Sequence, residues 1–243
     1  MMRLLPALSL GAYAAQAQPA AVQSVGTHDP MDSRVLACAP CHGTKGQGAA
    51  GQGSLGQVAA NNIFPRLSGK PAGYLFNQLV AFREGRRRYP PMNYLLEFQT
   101  DAYLHAMADH FAAQRSPLPP AAVSVASRDV LAQGQSLVTA GDTARGIPAC
   151  AACHGPDFNG MEPAIPGLLG LRPDYISAQL GAWRYGTRTA AAPDCMQAVA
   201  GRLTEADVTA VAAWLSALPD PANPDPAPQG SLPMPLACGS EPQ

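Results

Sequence analysis

Two pentapeptides of one pattern, Cys38-Ala-Pro-Cys41-His42 and Cys150-Ala-Ala-Cys153-His154, constrain this chain more than any other feature. Thiols three residues apart are spaced to form thioethers with the two vinyl groups of one haem. The adjoining histidine is then placed to bind the iron from one face. With 6 Cys and 5 His in 243 residues, one such match is expected by chance about 0.003 times. Zinc knuckles and disulfide pairs are the competing uses of paired cysteines. Zinc would gather its ligands in one cluster, whereas these pairs lie 112 residues apart, each followed by its own His-Gly. The pattern predicts two covalent haems, attached at Cys38, Cys41, Cys150 and Cys153, with His42 and His154 as axial iron ligands.

Doubling of the motif extends to the chain around it. At an offset of 101, Pro65, Leu67 and Gly69 match Pro166, Leu168 and Gly170. The same offset pairs Tyr74 with Tyr175, Gln78-Leu79 with Gln179-Leu180, and Phe82-Arg83 with Trp183-Arg184. The first half carries 11 more residues between its haem motif and its Pro, which the Gly-rich run 43–56 accommodates. At an offset of 104, Leu104, Met107 and Phe111 match Val208, Val211 and Leu215, each triplet an i, i+3, i+7 helical stripe. Thr204 with an acid three residues on reads as a capped helix start. Each half is therefore predicted as helix, haem motif, loop, helix, Met loop, helix, with little strand. The middle helices fall near 74–83 and 175–184, and the first helix is clearest at 128–140.

A haem held by one histidine has an open sixth position, and its filling separates carrier from enzyme. Met92, after Tyr89-Pro90-Pro91, and Met196, after Pro193-Asp194-Cys195, hold matching places in the two halves. Prolines before each would stiffen a loop that presents the thioether, and a thioether raises the potential of the iron. Both are assigned as sixth ligands. His28, His105 and His110 are rivals, with surface or packing roles expected for the last two. Met31, Met107, Met161 and Met234 are expected to be filler or to lie in mobile segments.

These features together resemble the cytochrome c4 family of dihaem class I cytochromes c, over roughly residues 30–218. The resemblance rests on the two Cys-His-Gly motifs, Pro-x-Leu-x-Gly, the Tyr-x3-Gln-Leu helix and a Met before a C-terminal helix. It implies an all-α fold of two tandem cytochrome c domains, each wrapped around one haem with His and Met ligands. It also implies single-electron transfer in the periplasm, from a quinol-oxidising complex or a dehydrogenase to a terminal oxidase. The Gly-rich insertion and the cysteine-bearing tail depart from the pattern.

Around this frame, the chain divides into a signal segment 1–17, domains 18–115 and 128–218, a linker 116–127 and a tail 219–243. The N-terminus has Arg3, a short apolar stretch and Ala15-Gln16-Ala17, which reads as a secretory signal cut after Ala17, with an uncleaved anchor as the alternative. The tail holds eight prolines in 25 residues and is expected to be extended. Residues 18–120 carry nine Lys/Arg against six Asp/Glu, and residues 121–243 carry six against eleven. Such a dipole suits steering by charged redox partners and argues against nucleic acid. Arg83, Arg86, Arg87 and Arg88 are a candidate docking patch or a solvated helix end. Cys195 and Cys238 remain; in an oxidising compartment they are expected to pair, or Cys195 would ligate the second iron as a thiolate. The predicted function is an electron carrier without catalytic residues. A thiosulfate dehydrogenase or peroxidase type of dihaem enzyme, and a subunit of a membrane dehydrogenase or oxidase, stand as alternatives.

Overall fold

The computed structural model describes residues 30–48 and 64–241. The signal segment, His28 and most of the Gly-rich insertion lie outside the described residues. The helices of the first half are α1 (Met31–Arg34), α2 (Ala39–His42), α3 (Ala72–Arg83), α4 (Pro90–Leu96) and α5 (Asp101–Ala113). Those of the second are α6 (Arg128–Thr139), α7 (Ala151–His154), α8 (Pro173–Arg184), α9 (Cys195–Ala200) and α10 (Glu205–Ser216). Strands β1 (Gly160–Met161) and β2 (Ile165–Pro166) form an antiparallel pair in the register Gly160 to Pro166.

Local chemistry sets the helix starts. Ser127 accepts a hydrogen bond from the Val130 amide, and Thr100 accepts one from Tyr103, as N-caps do. Thr204 and Asp207 bond reciprocally in a capping box, as the sequence predicted. Pro173 opens α8, and Pro90 and Pro91 open α4, where a missing amide hydrogen costs nothing. The two Met segments are thus the short helices α4 and α9, not loops. Proline at α4 and the Asp194 side chain, which caps the Gln197 amide, start a turn where the sequence suggested irregular chain.

Two cores result, and repeat mates occupy corresponding places in them. Leu104, Met107 and Phe111 on α5 are buried against α3, with Leu75 and Phe82. Val208, Val211 and Leu215 on α10 are buried against α6 and α8, with Ile176 and Leu180. Each such side chain stabilises its helix by about 1.5–3 kcal/mol, which helices this short need because alone they are marginal in water. Asp207 is buried beneath α10. Desolvation pushes its pKa up, but hydrogen bonds from Arg145, Thr204 and Gln133 outweigh that and hold it well below the usual carboxylate range.

The linker and tail are fastened to both halves. Ala122 donates its amide to Ser216, and Arg66 donates to the carbonyls of Ser116 and Pro117. In the tail, Ala227 bridges Met161 in parallel, and Asn77 of α3 donates to the Ser240 carbonyl at 3.2 Å. Among the described residues, no helix is long and apolar enough to cross a membrane.

Close contact of α6 and α10 depends on Gly134. A Cβ there would lie 2.2 Å from the Ala210 carbonyl oxygen, which is backbone and cannot yield. Gly134→Ala gains about 1 kcal/mol of helix propensity, yet the overpacking costs about 1–3 kcal/mol. The substitution is expected to lower the midpoint of thermal unfolding; an unchanged or raised midpoint would show that the helix pair separates freely.

Candidate haem sites

Both CxxCH segments fold as a single helical turn that ends on the histidine. Gly43 and Gly155 follow with φ of 81° and 86°, a backbone conformation that L side chains rarely adopt, so glycine turns the chain away there. His42 and His154 are buried, and each donates its Nδ1 hydrogen to a proline carbonyl, Pro65 at 2.9 Å and Pro166 at 2.8 Å. A carbonyl can only accept, so Nδ1 carries the proton and Nε2 keeps its lone pair for a metal. Burial lowers the pKa of both imidazoles, against the opposing effect of the carbonyl. Neutral imidazole is the form that ligates iron. The prolines are repeat mates, and strand β2 positions the second of them.

The thiols fit covalent attachment better than they fit zinc. Burial pushes Cys150 up to about 12 and raises Cys38 and Cys153, so they are held as neutral thiols. Among the described residues no three His, Cys, Asp or Glu side chains gather into a metal-ion cluster. The second half instead has a cavity lined by Cys150, Cys153, His154, Leu168, Trp183 and Met196 among others. The surface it presents is mostly apolar, which suits a macrocycle. Met196 therefore shares a cavity with His154. In the first half, Met92 is half-buried and packs against the core cluster that Cys38 also joins.

The rival side chains have other occupations. His105 stacks on Phe76 at 3.6 Å between ring centroids, and the His110 imidazole approaches Asp32 at 3.7 Å. Met107 and Met161 are buried core residues, whereas Met234 reaches the second cavity from the tail. Cys195 and Cys238 form a disulfide. This ties the tail to the helix that bears Met196 and leaves no Cys195 thiolate for iron.

Between the halves lies a polar network that sequence reasoning missed. Arg87 and Arg188 face each other in an antiparallel bridge. Arg87 donates to Gln78 at 3.0 Å and to Gln179 at 2.8 Å; Arg188 donates to Gln179 at 2.8 Å and to Gln78 at 2.6 Å. Arg87 also donates to the Tyr175 hydroxyl at 2.8 Å. The guanidiniums lie over Phe82 and Trp183 respectively. The residues of this network are mates at the offset of 101, Arg87 of Arg188, Gln78 of Gln179 and Phe82 of Trp183, a signal that was available in the sequence. Arg87 is thus buried and cannot serve a docking patch. Arg83 pairs with Asp101 at 2.7 Å and Arg86 with Glu84 at 2.8 Å, which leaves the patch reading to Arg88 alone. Burial raises the pKa of the neighbouring Tyr74 hydroxyl, but Arg188, Arg87 and Lys70 outweigh it and draw it down to about 8.

Arg66, Lys70, Arg87 and Arg188 are all buried, and none pairs with a carboxylate among the described residues. Buried cations without anions are costly. Haem propionates are anions of the right kind for such places, which is a second respect in which the residues present fit the cofactor.

Comparison with known proteins agrees. The cytochrome c family model matches residues 131–219. A protein of Thiomonas intermedia (strain K12) named "Thiosulfate dehydrogenase electron acceptor" is 35% identical over 221 residues, 90% of this chain and 92% of that one. Cytochrome c4 of Pseudomonas aeruginosa is 31% identical over 188 residues, 76% of this chain and 86% of its own. The solved thiosulfate dehydrogenase (TsdBA) of Marichromatium purpuratum superposes with a TM-score of 0.66 at 32% identity, over 78% of this chain and 40% of that one.

All six cysteines are engaged if four carry haem and two form the disulfide. Denatured, unreduced holoprotein is expected to show no reactive thiol, and two after reduction. A thiol titratable before reduction would remove either a thioether or the disulfide.

Proposed function

The chain belongs to the dihaem cytochrome c4 family, and from that premise we propose that it accepts electrons from a thiosulfate-oxidising dehydrogenase in the periplasm and passes them to a terminal oxidase. Members of this family are electron-transfer proteins, not enzymes. The chain is a carrier with all-α tandem cytochrome c domains, two haems c and redox proteins as partners. The donor, the acceptor and the compartment belong to the proposal.

One observation carries the choice of donor. The relative from Thiomonas intermedia, alike over 90% of this chain, is named for accepting electrons from thiosulfate dehydrogenase. The similarity to part of a longer thiosulfate dehydrogenase chain supports the same reading, because there the matching region shares one chain with further sequence. Export is supported by the signal-like N-terminus and by the oxidised Cys195–Cys238 pair.

In this reading the haems supply a one-electron iron couple, and the chain's own residues set its behaviour. Cys38, Cys41, Cys150 and Cys153 hold the macrocycles. His42 and His154 present Nε2, fixed by the proline carbonyls behind them. Met92 and Met196 would supply thioethers to the two irons, which would exclude small substrates and raise the potential. The disulfide next to Met196 and the prolines before Met92 stiffen the two segments that would present the thioethers.

Mixing oxidised holoprotein with thiosulfate and a purified thiosulfate dehydrogenase is expected to reduce both haems. No reduction is expected from thiosulfate alone. Failure to be reduced, together with rapid reduction by a quinol-oxidising complex, would replace the donor. The ligand assignment has its own test: Met92→Ala and Met196→Ala should each remove about half of the near-infrared Met-to-iron band. A band unchanged by either variant would remove that methionine from the ligand set.

A further inference from the structure

Lys70 belongs to the first half by sequence and to the second haem site by position. It stands in the segment that leads into α3, is buried, and lines the same cavity as Cys150, Cys153, His154 and Met196. Its ammonium donates to the Gly167 carbonyl at 2.7 Å, one residue beyond the proline that holds His154. No described carboxylate pairs with it. The repeat does not reproduce it: at the offset of 101 its mate is Leu171, an apolar buried side chain. Arg87 and Arg188, by contrast, are mates, so the interface arginines give the halves matching charges; Arg66, the other buried cation without a charged mate, donates to the linker carbonyls, whereas Lys70 reaches the second cavity.

We propose that Lys70 is a cation which the first half inserts into the second haem site, where it pairs with a haem propionate and raises the potential of that haem above the first. The sign follows from electrostatics: a positive charge, or one that neutralises a propionate, favours the ferrous state, which carries one positive charge fewer. The magnitude follows from the setting, because a charge removed from water and close to the site is poorly screened. The consequence is directional. An electron entering at either haem settles on the second, held there by a residue of the other half. Docking of the halves then sets the direction of internal transfer as well as the distance.

The inference rests on the two-haem reading and not on the identity of the donor, so it is tested without any partner. Holoproteins of the natural chain, Lys70→Met and Lys70→Arg are titrated by spectroelectrochemistry, and the second haem is identified by the further change Met196→His. Lys70→Met is expected to shift the electron distribution between the haems by on the order of tenfold away from the second, about 59 mV for one electron. The potential of the first haem should stay where it was, and Lys70→Arg should restore most of the difference. Lys70→Gln, which keeps a donor for Gly167, replaces the Met variant if that one does not fold. Equal shifts at both haems, or none at either, overturn the proposal. A natural chain that binds only one haem would instead overturn the reading on which it rests.

Discussion

In both halves the imidazole at the end of the CxxCH turn gives its Nδ1 hydrogen to the carbonyl of a proline, and much of the rest follows from that bond. It fixes the tautomer, leaves the Nε2 lone pair free for a metal and keeps the ring from turning. It also ties the haem-attachment turn to the segment that leads into α3 or α8. Those helices carry the apolar stripes against which α5 and α10 pack. One hydrogen bond thus joins the covalent anchor to the core in each half. The first half reaches the same geometry despite 11 additional residues between its histidine and its proline.

The interface between the halves is polar where an interface built for stability alone would be apolar. Four arginine-to-glutamine hydrogen bonds, with each glutamine oxygen shared by both guanidiniums, tie α3 to α8. Burying such cations costs several kcal/mol each unless anions meet them. The same arginines that join the halves therefore create a demand for negative charge at the interface. Two haems with carboxylates directed there would meet that demand and would couple cofactor binding to the docking of the halves. Packing of the guanidiniums over Phe82 and Trp183 adds a cation–π component, worth about 2 kcal/mol when desolvated.

The tail shows how a segment without a core of its own still shapes a site. Its prolines keep it extended, and its fastenings include a bridge to Met161, hydrogen bonds from Asn77 and Asn159, an ion pair of Asp225 with Arg115 and the disulfide to Cys195. Asn77 and Cys195 themselves line the second cavity. Met234, Leu236 and Cys238 line that cavity, so the tail closes one side of the second site.

Cofactor, family and most of the fold were legible in the chain because covalent haem attachment demands a fixed local pattern, and because a duplicated pattern leaves offsets that can be counted. The stripes of α5 and α10, the capping box at Thr204 and the places of Met92 and Met196 all follow from neighbours within a few turns. What local sequence did not reveal was long-range. The helical form of the two Met segments depended on Asp194 and on paired prolines whose effect also fits a loop. Arg87 read as surface because arginine usually is, and only the opposing half buried it. Lys70 gave no sign at all, since nothing near it in the chain is unusual. Attachment chemistry was determined by residues three and four apart. Which charges stand beside which haem was decided by two halves meeting, because electrostatic environment depends on what surrounds a group and not on what adjoins it in the chain.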